Sequence, residues 1–183
     1  FNDRTQLQKE AMQNLLYRWF VADNIVSTTG AARTAHTSST ATGNRKMITK
    51  KDVMSLMVKF NQDDVPAEGR YLLLDAVMYA DLLADLTGTE LSAFLASADA
   101  QRGVVGQLYG FNVMQRSKVL KVNGNNALLK WEATATAAER ACGLAWQQQC
   151  VSRALGEVKM FENTNDPTYY GDIYSFLMRV GGL

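Results

Sequence analysis

Between Arg4 and about Ala22 the apolar residues Leu7, Ala11, Leu15, Leu16, Trp19 and Phe20 recur at three- and four-residue spacing. That spacing puts them on one face of a long amphipathic helix. The next stretch, STTGAARTAHTSSTATGN from Ser27 to Asn44, has almost no large apolar residue. It cannot bury itself, and it reads as a long mobile loop or an extended arm. A second helix then opens with clear chemistry. Thr49 stands at the N-cap, Asp52 at the third helical position, and Ile48 and Val53 flank them as a hydrophobic staple. Val53, Leu56, Met57 and Phe60 form its apolar stripe. The helix ends before Pro66, whose ring disfavours helix in the residue preceding it.

Tyr71 to Leu74 is too short for a helix and reads as a buried strand. Asp75 caps a third helix with Val77, Met78, Leu82, Leu83 and Leu86 facing inward, closed by Gly88. Thr89 starts a short helix carrying Leu91, Phe94 and Leu95. From Gly103 to Gln115, two apolar runs broken by Gly110 predict a bent strand or a strand pair with a bulge. Asn123 to Asn126 is a turn, and Ala133 to Ala141 favours helix. Gly143 to Gln147 reads as a strand, Gln148 to Leu155 as a short helix, and Glu157 to Phe161 as a strand. A turn ends at Pro167. A long final strand then runs from Asp172 to Val180, apolar on both faces, which implies burial on both sides, within this chain or against another. The class is α+β, with no βαβ repeat and no internal sequence repeat.

Composition narrows the picture mainly by what it excludes. The 183 residues suit one domain, or one domain with an insertion, and 47% hydrophobic with 20% charged is ordinary for a chain with a sizeable core. Net charge is +1, so no overall field draws the chain to nucleic acid or an anionic membrane. No apolar run approaches the roughly 20 residues of a membrane span, and the start does not read as a signal peptide. Phe1 is not an initiator methionine, which suggests trimming at that end. Cys142 and Cys150 make no disulfide framework, and a reduced intracellular protein is the default expectation.

The search for chemistry returns little. His36, the single histidine, sits in the Thr/Ser loop with no acidic or cysteine neighbour at ligand spacing, so a solvated loop histidine is the expectation. Cys142 and Cys150 are eight apart, unlike a zinc or redox pair. No phosphate-binding glycine loop or nucleophile elbow is present. Asp63 and Asp64 are adjacent in a turn and are expected to point apart. Glu162, Asp166 and Asp172 flank a turn with Tyr169 and Tyr170, but their spacing does not fit a calcium loop. Arg45, Lys46, Lys50 and Lys51 read as a solvated helix start, or as a patch for phosphates or an acidic partner. The stretch DDVPAEGRYLLLD, from Asp63 to Asp75, is open to two readings: the edge of an anion site, or a hinge. No catalytic, cofactor or metal constellation emerges.

Four segments, taken in order, carry a resemblance. They are TGNRKMITKKDV (42 to 53), DDVPAEGRYLLLDAVMYADLLADL (63 to 86), GVVGQLYGFNVMQRSKVL (103 to 120) and ALGEVKMFENTNDPTYYGDIYSFLMRVGG (154 to 182). Together they resemble the major capsid proteins of tailed bacteriophages, particularly a group found in phages and prophages of Bacteroidetes and other bacteria. The resemblance covers roughly residues 40 to 183. It implies the common tailed-phage capsid fold, shared with encapsulin shells: a peripheral subdomain with a long helix and long β strands, and an axial α/β subdomain. By analogy, 1 to 62 is peripheral, with its helices and flexible loop; 63 to 167 is axial; and 168 to 183 is the final strand of the peripheral part. A complete family member is longer, and an N-terminal arm is expected to be missing.

The function implied is a structural subunit, not an enzyme, that self-assembles into the icosahedral shell enclosing phage DNA. Its partners would be copies of itself in pentamers and hexamers, a scaffold or portal protein, and packaged DNA through weak non-specific contact, with no membrane and no cofactor. It would reside in the virion after assembly in the bacterial cytoplasm. A shell subunit needs broad repeated contacts and no catalytic constellation. The alternatives are an encapsulin-like shell around a protein cargo, and a small-ligand-binding or hydrolytic domain built on the turn from Asp63 to Arg70. On the capsid reading, Pro66, Gly69, Arg70 and Asp75 form a structural junction, with Arg70 its ion-pair anchor.

Overall fold

The computed structural model describes residues 2–20, 24–38, 41–131, 138–166, 168 and 171–182. In chain order the elements begin with α1 (Asn2–Arg18), β1 (Ala32–Thr34), β2 (Asn44–Lys46), α2 (Lys50–Gln62) and β3 (Arg70–Asp75). Next come α3 (Ala76–Asp85), α4 (Gly88–Ala96), β4 (Val104–Leu108), β5 (Phe111–Arg116) and β6 (Leu120–Val122). The chain closes with β7 (Leu128–Leu129), β8 (Arg140–Cys142), β9 (Leu144–Gln147), β10 (Arg153–Asp166) and β11 (Gly171–Gly182). The α+β class expected from the pattern is the one observed.

Residues 20–150 form one compact unit around a mixed sheet of order β4-β5-β3-β9. β3 runs parallel to β5 and antiparallel to β9, while β4 and β5 make an antiparallel hairpin. The parallel pair needs a crossover, which α3 and α4 supply. Leu72, Leu74, Phe111 and Val113 of the sheet meet Val53 of α2, Met78 and Leu82 of α3 and Phe94 of α4 in a single core. The capping chemistry read at Thr49 is present: the side chains of Thr49 and Asp52 reciprocally satisfy the first turn of α2. Asp75 likewise accepts from the backbone N–H groups of Val77 and Met78. The β4–β5 turn puts Tyr109 and Gly110 at φ 48° and 80°, the left-handed pair that a two-residue hairpin turn requires.

Residues 1–19 and 151–183 form the second compact unit. α1 lies against β11 and buries Leu15 and Leu16. β10 and β11 pair antiparallel from Arg153↔Gly182 to Asp166↔Gly171, with register shifts between Leu155 and Val158 and between Asn163 and Asp166. The boundaries expected at 62/63 and 167/168 are not where these units part. α2 packs through Val53, Leu56, Met57 and Phe60 onto the same core as β3 and β5, which keeps it with the sheet.

Several local expectations are corrected by tertiary contacts. α1 ends at Arg18 rather than near Ala22, and the Trp19 indole N–H instead bonds the Ser152 carbonyl at 3.3 Å. The Thr/Ser stretch is not a free arm, because β1 within it pairs with β2 in the register Ala32↔Lys46 to Thr34↔Asn44. Gly88 does not close α3. A capping box between Thr87 and Glu90 makes it the first residue of α4. The short helix expected from Gln148 to Leu155 shrinks to one 3-10 turn, Gln148–Cys150, capped by the Gln147 side chain, and the chain then enters β10. The helix-favouring run from Ala133 lies mostly outside the described residues, and its end, Arg140–Cys142, is strand β8. Pro167 and the tyrosines Tyr169 and Tyr170 also lie outside the described residues.

Candidate functional site

The stretch linking α2 to β3 folds around Arg70, which is 3% exposed. Its Nε donates to the Pro66 carbonyl at 2.9 Å and its Nη2 to the Asn61 side-chain oxygen at 2.8 Å and to the Val65 carbonyl. The guanidinium lies 5.5 Å from the centre of the Phe60 ring, which itself meets Phe111 edge-on at 5.2 Å. Gly69 at φ 69° lets the chain reverse into the strand, and its carbonyl accepts from the Gln148 N–H. These partners of Arg70 are neutral oxygens, so it closes the loop by hydrogen bonding and not by the expected ion pair. A buried guanidinium turned onto its own backbone is poorly placed to receive an anion. Asp63 is exposed and pairs with Lys59 along the helix at 3.2 Å, and Asp64 takes a left-handed φ of 53°.

A second polar constellation holds the Thr/Ser stretch to the sheet unit through three carboxylates. Asp52 accepts from the backbone N–H and hydroxyl of Thr29 as well as from Thr49. Asp81 on α3 accepts from Arg33 and, at 2.8 Å, from Arg45, and Arg45 and Asp81 are both buried. Asp75 caps α3 through one oxygen and meets His36 Nε2 at 2.8 Å through the other. His36 is thus not the solvated loop histidine expected from sequence. Burial pushes the Asp75 carboxyl up, but the hydrogen bonds from His36 and Met78 and the charges of His36 and Arg45 outweigh it, leaving the group below its ordinary value of 3.8. Asp52 follows the same pattern, its burial outweighed by the bonds from Thr29 and Thr49.

The basic cluster read at the start of α2 does not act as a unit. Arg45 is buried on Asp81, while Lys50 pairs with Glu90 at 2.8 Å; Lys46 and Lys51 stay exposed. The Lys50 ammonium, with the Thr87 N–H and hydroxyl, holds the Glu90 carboxyl at about 2. In the small sheet of β6, β7 and β8, Lys121 and Glu139 form a fully buried pair at 3.2 Å, with Trp131 beside Lys121. Burial pushes the Cys142 thiol up to about 11, and Cys150 is exposed. No group of three metal-ligating side chains occurs among the described residues. These networks hold elements together.

What the chain offers to solution is an apolar surface on the β10–β11 ribbon. Leu155 is 66% exposed, Met160 57% and Tyr174 50%, and Val158, Phe161 and Leu177 are exposed beside them. Tyr174 and Leu177 being exposed, the burial on both faces expected of the last strand is not found among its described side chains.

No family model matches the sequence, and no curated protein matches it. Among solved structures, a chain of "Mycobacterium phage Che8" matches with a TM-score of 0.54 at 19% identity, covering 98% of this chain and 56% of that one. A chain of "Capsid structure of the Cyanophage P-SCSP1u" matches with a TM-score of 0.48 at 20% identity, covering 86% of this chain and 48% of that one. This chain thus shares its α+β fold with a mycobacteriophage chain and spans just over half of that chain's length.

Proposed function

We propose that this protein is a non-enzymatic structural subunit of a phage or prophage capsid, built to assemble with copies of itself into a closed shell around DNA. The observations that carry the reading are a fold held in common with a phage chain and, in this chain, a long ribbon that leaves Leu155, Val158, Met160, Phe161, Tyr174 and Leu177 exposed. A two-stranded ribbon is marginal by itself, and large apolar side chains on it call for a neighbour. Copies arranged around symmetry axes supply such neighbours at every subunit. The narrower affinity with phages of Bacteroidetes rests on the four sequence segments.

On this reading the unit of residues 1–19 and 151–183 is the peripheral part and residues 20–150 the axial part, with both boundaries moved to those of the compact units. Pro66, Gly69, Arg70 and Asp75 then lie inside the axial part, where they lock α2 to β3 and β3 to α3. Scaffold and portal proteins and packaged DNA are the partners the reading implies, with assembly in the bacterial cytoplasm and residence in the virion. Electron microscopy of the concentrated protein tests it: pentamers, hexamers or shells support the reading, and unassociated monomers refute it. Nuclease-protected DNA inside particles recovered from cells supports the capsid; a co-purified protein cargo instead supports an encapsulin-like shell.

A further inference from the structure

β10 is an open element of the fold. Every residue from Ser152 to Thr164 is exposed, whereas β11 has Ile173, Met178, Val180 and Gly182 half-buried and carries α1. Among the described residues the outer edge of β10 pairs with no other strand, although an open edge on a strand of this length would ordinarily be blunted or covered.

The order of side chains along that edge is self-complementary. Arg153, Leu155, Val158, Met160 and Glu162 lie opposite residues 182, 180, 178, 176 and 174 of β11, every second position, so they share one face of the ribbon. Glu157 and Lys159 approach to 3.1 Å, which places them together on the other face. Turned about Val158, the strand sets unlike charges and apolar side chains opposite each other. Glu157 meets Lys159 of the copy, Leu155 meets Met160, and Arg153 meets Glu162. The extra residue between Leu155 and Val158, seen as a shift against β11, brings the outer pairs into step. A parallel in-register arrangement would instead stack like charges on one another.

We propose that β10 pairs antiparallel with β10 of a second copy across a twofold axis at Val158, joining two ribbons into a four-stranded sheet of order β11-β10-β10-β11. An axis perpendicular to the sheet keeps each face continuous, so the exposed Leu155, Val158 and Met160 of both copies gather into one apolar strip. Four strands also lift the ribbon out of the range in which a lone hairpin is marginal. The contact rests on the shell reading only for its place in a particle.

Two charge variants and their mixture test it, with sedimentation velocity as the readout and circular dichroism confirming each fold. Arg153→Glu with Lys159→Glu makes all four charges of the edge negative, and Glu157→Lys with Glu162→Arg makes them all positive. Each variant alone is expected to associate about tenfold more weakly than the parent or worse. An equimolar mixture restores association, because every pair is again unlike. In a Cys150→Ser background, Val158→Cys cross-links to a dimer on mild oxidation and Thr164→Cys does not. Two outcomes overturn the contact: a mixture that stays as weakly associated as its components, or no dimer through position 158. Shells that form regardless would leave the shell reading standing while removing this contact; a cross-linked dimer that builds nothing larger would do the reverse.

Discussion

Asp81→Asn tests the buried clamp that ties the Thr/Ser stretch to α3. Asp81 is 2% exposed at its side chain and holds Arg45, 5% exposed, at 2.8 Å, together with Arg33, which is 44% exposed. Removing the carboxylate leaves the Arg45 guanidinium buried without its paired carboxylate, an arrangement that costs about 3–5 kcal/mol. Against a total stability of about 5–15 kcal/mol, that is a large fraction. Arg33 keeps much of its water, so Arg33→Ala should cost about 1 kcal/mol or less. Replacing the buried pair by Arg45→Met with Asp81→Leu removes both charges, and should return stability to within about 1–2 kcal/mol of the parent. Urea unfolding followed by far-ultraviolet circular dichroism and by tryptophan fluorescence measures all three, with coincident transitions as the check on two-state behaviour. A cost below about 1 kcal/mol for Asp81→Asn, or an equal cost for Arg33→Ala, refutes the reasoning that burial sets the scale.

Acid should loosen the same region. Asp75 and Asp52 are held below their ordinary value of 3.8, so their stabilisation is complete above that value and is lost as pH falls through the lower folded-state values. The urea midpoint is expected to decline below about pH 4, and less steeply in Asp75→Asn; an unchanged acid slope in that variant would count against it. Gly106→Ala should destabilise by about 1–3 kcal/mol, because a Cβ there falls 2.6 Å from the buried Phe94 ring. A melting temperature equal to the parent's would show that the ring moves freely. Arg70→Ala strips donors from the Pro66 and Val65 carbonyls and the Asn61 side chain, at an expected cost of about 2–4 kcal/mol in urea unfolding. A ligand-binding loss at unchanged stability would point instead to the ligand-binding reading of this turn.

Helices with a local cap were legible from sequence. Thr49 with Asp52, and Asp75 ahead of Val77 and Met78, carry their signal within four residues. β3 and the β4–β5 hairpin were legible too, as short apolar runs bounded by turn residues. What escaped depends on partners distant in sequence. His36 gains Asp75 from 39 positions away, and Arg45 gains Asp81 from 36, so neither showed as a pair at any ligand spacing. Thr87 and Glu90 form a readable capping box, but Gly88 points to a helix end in sequence because glycine more often closes a helix than opens one. The length of β10 was hidden because its ladder with β11 overrides the helical preference of the segment that enters it. The loop around Pro66, Gly69 and Arg70 was legible as a break after α2, yet the partners of Arg70 are backbone and amide oxygens that no charge pattern announces.

The claim that most needs testing is that this protein exists to contact copies of itself. Sedimentation velocity on a concentration series at low and moderate salt tests it most directly. A shell subunit is expected to shift to dimers, rings or larger particles as concentration rises, with Leu155, Val158 and Met160 losing solvent access in the associated state. A single monomeric species across the whole series, with the β10–β11 ribbon still fully accessible, would contradict it.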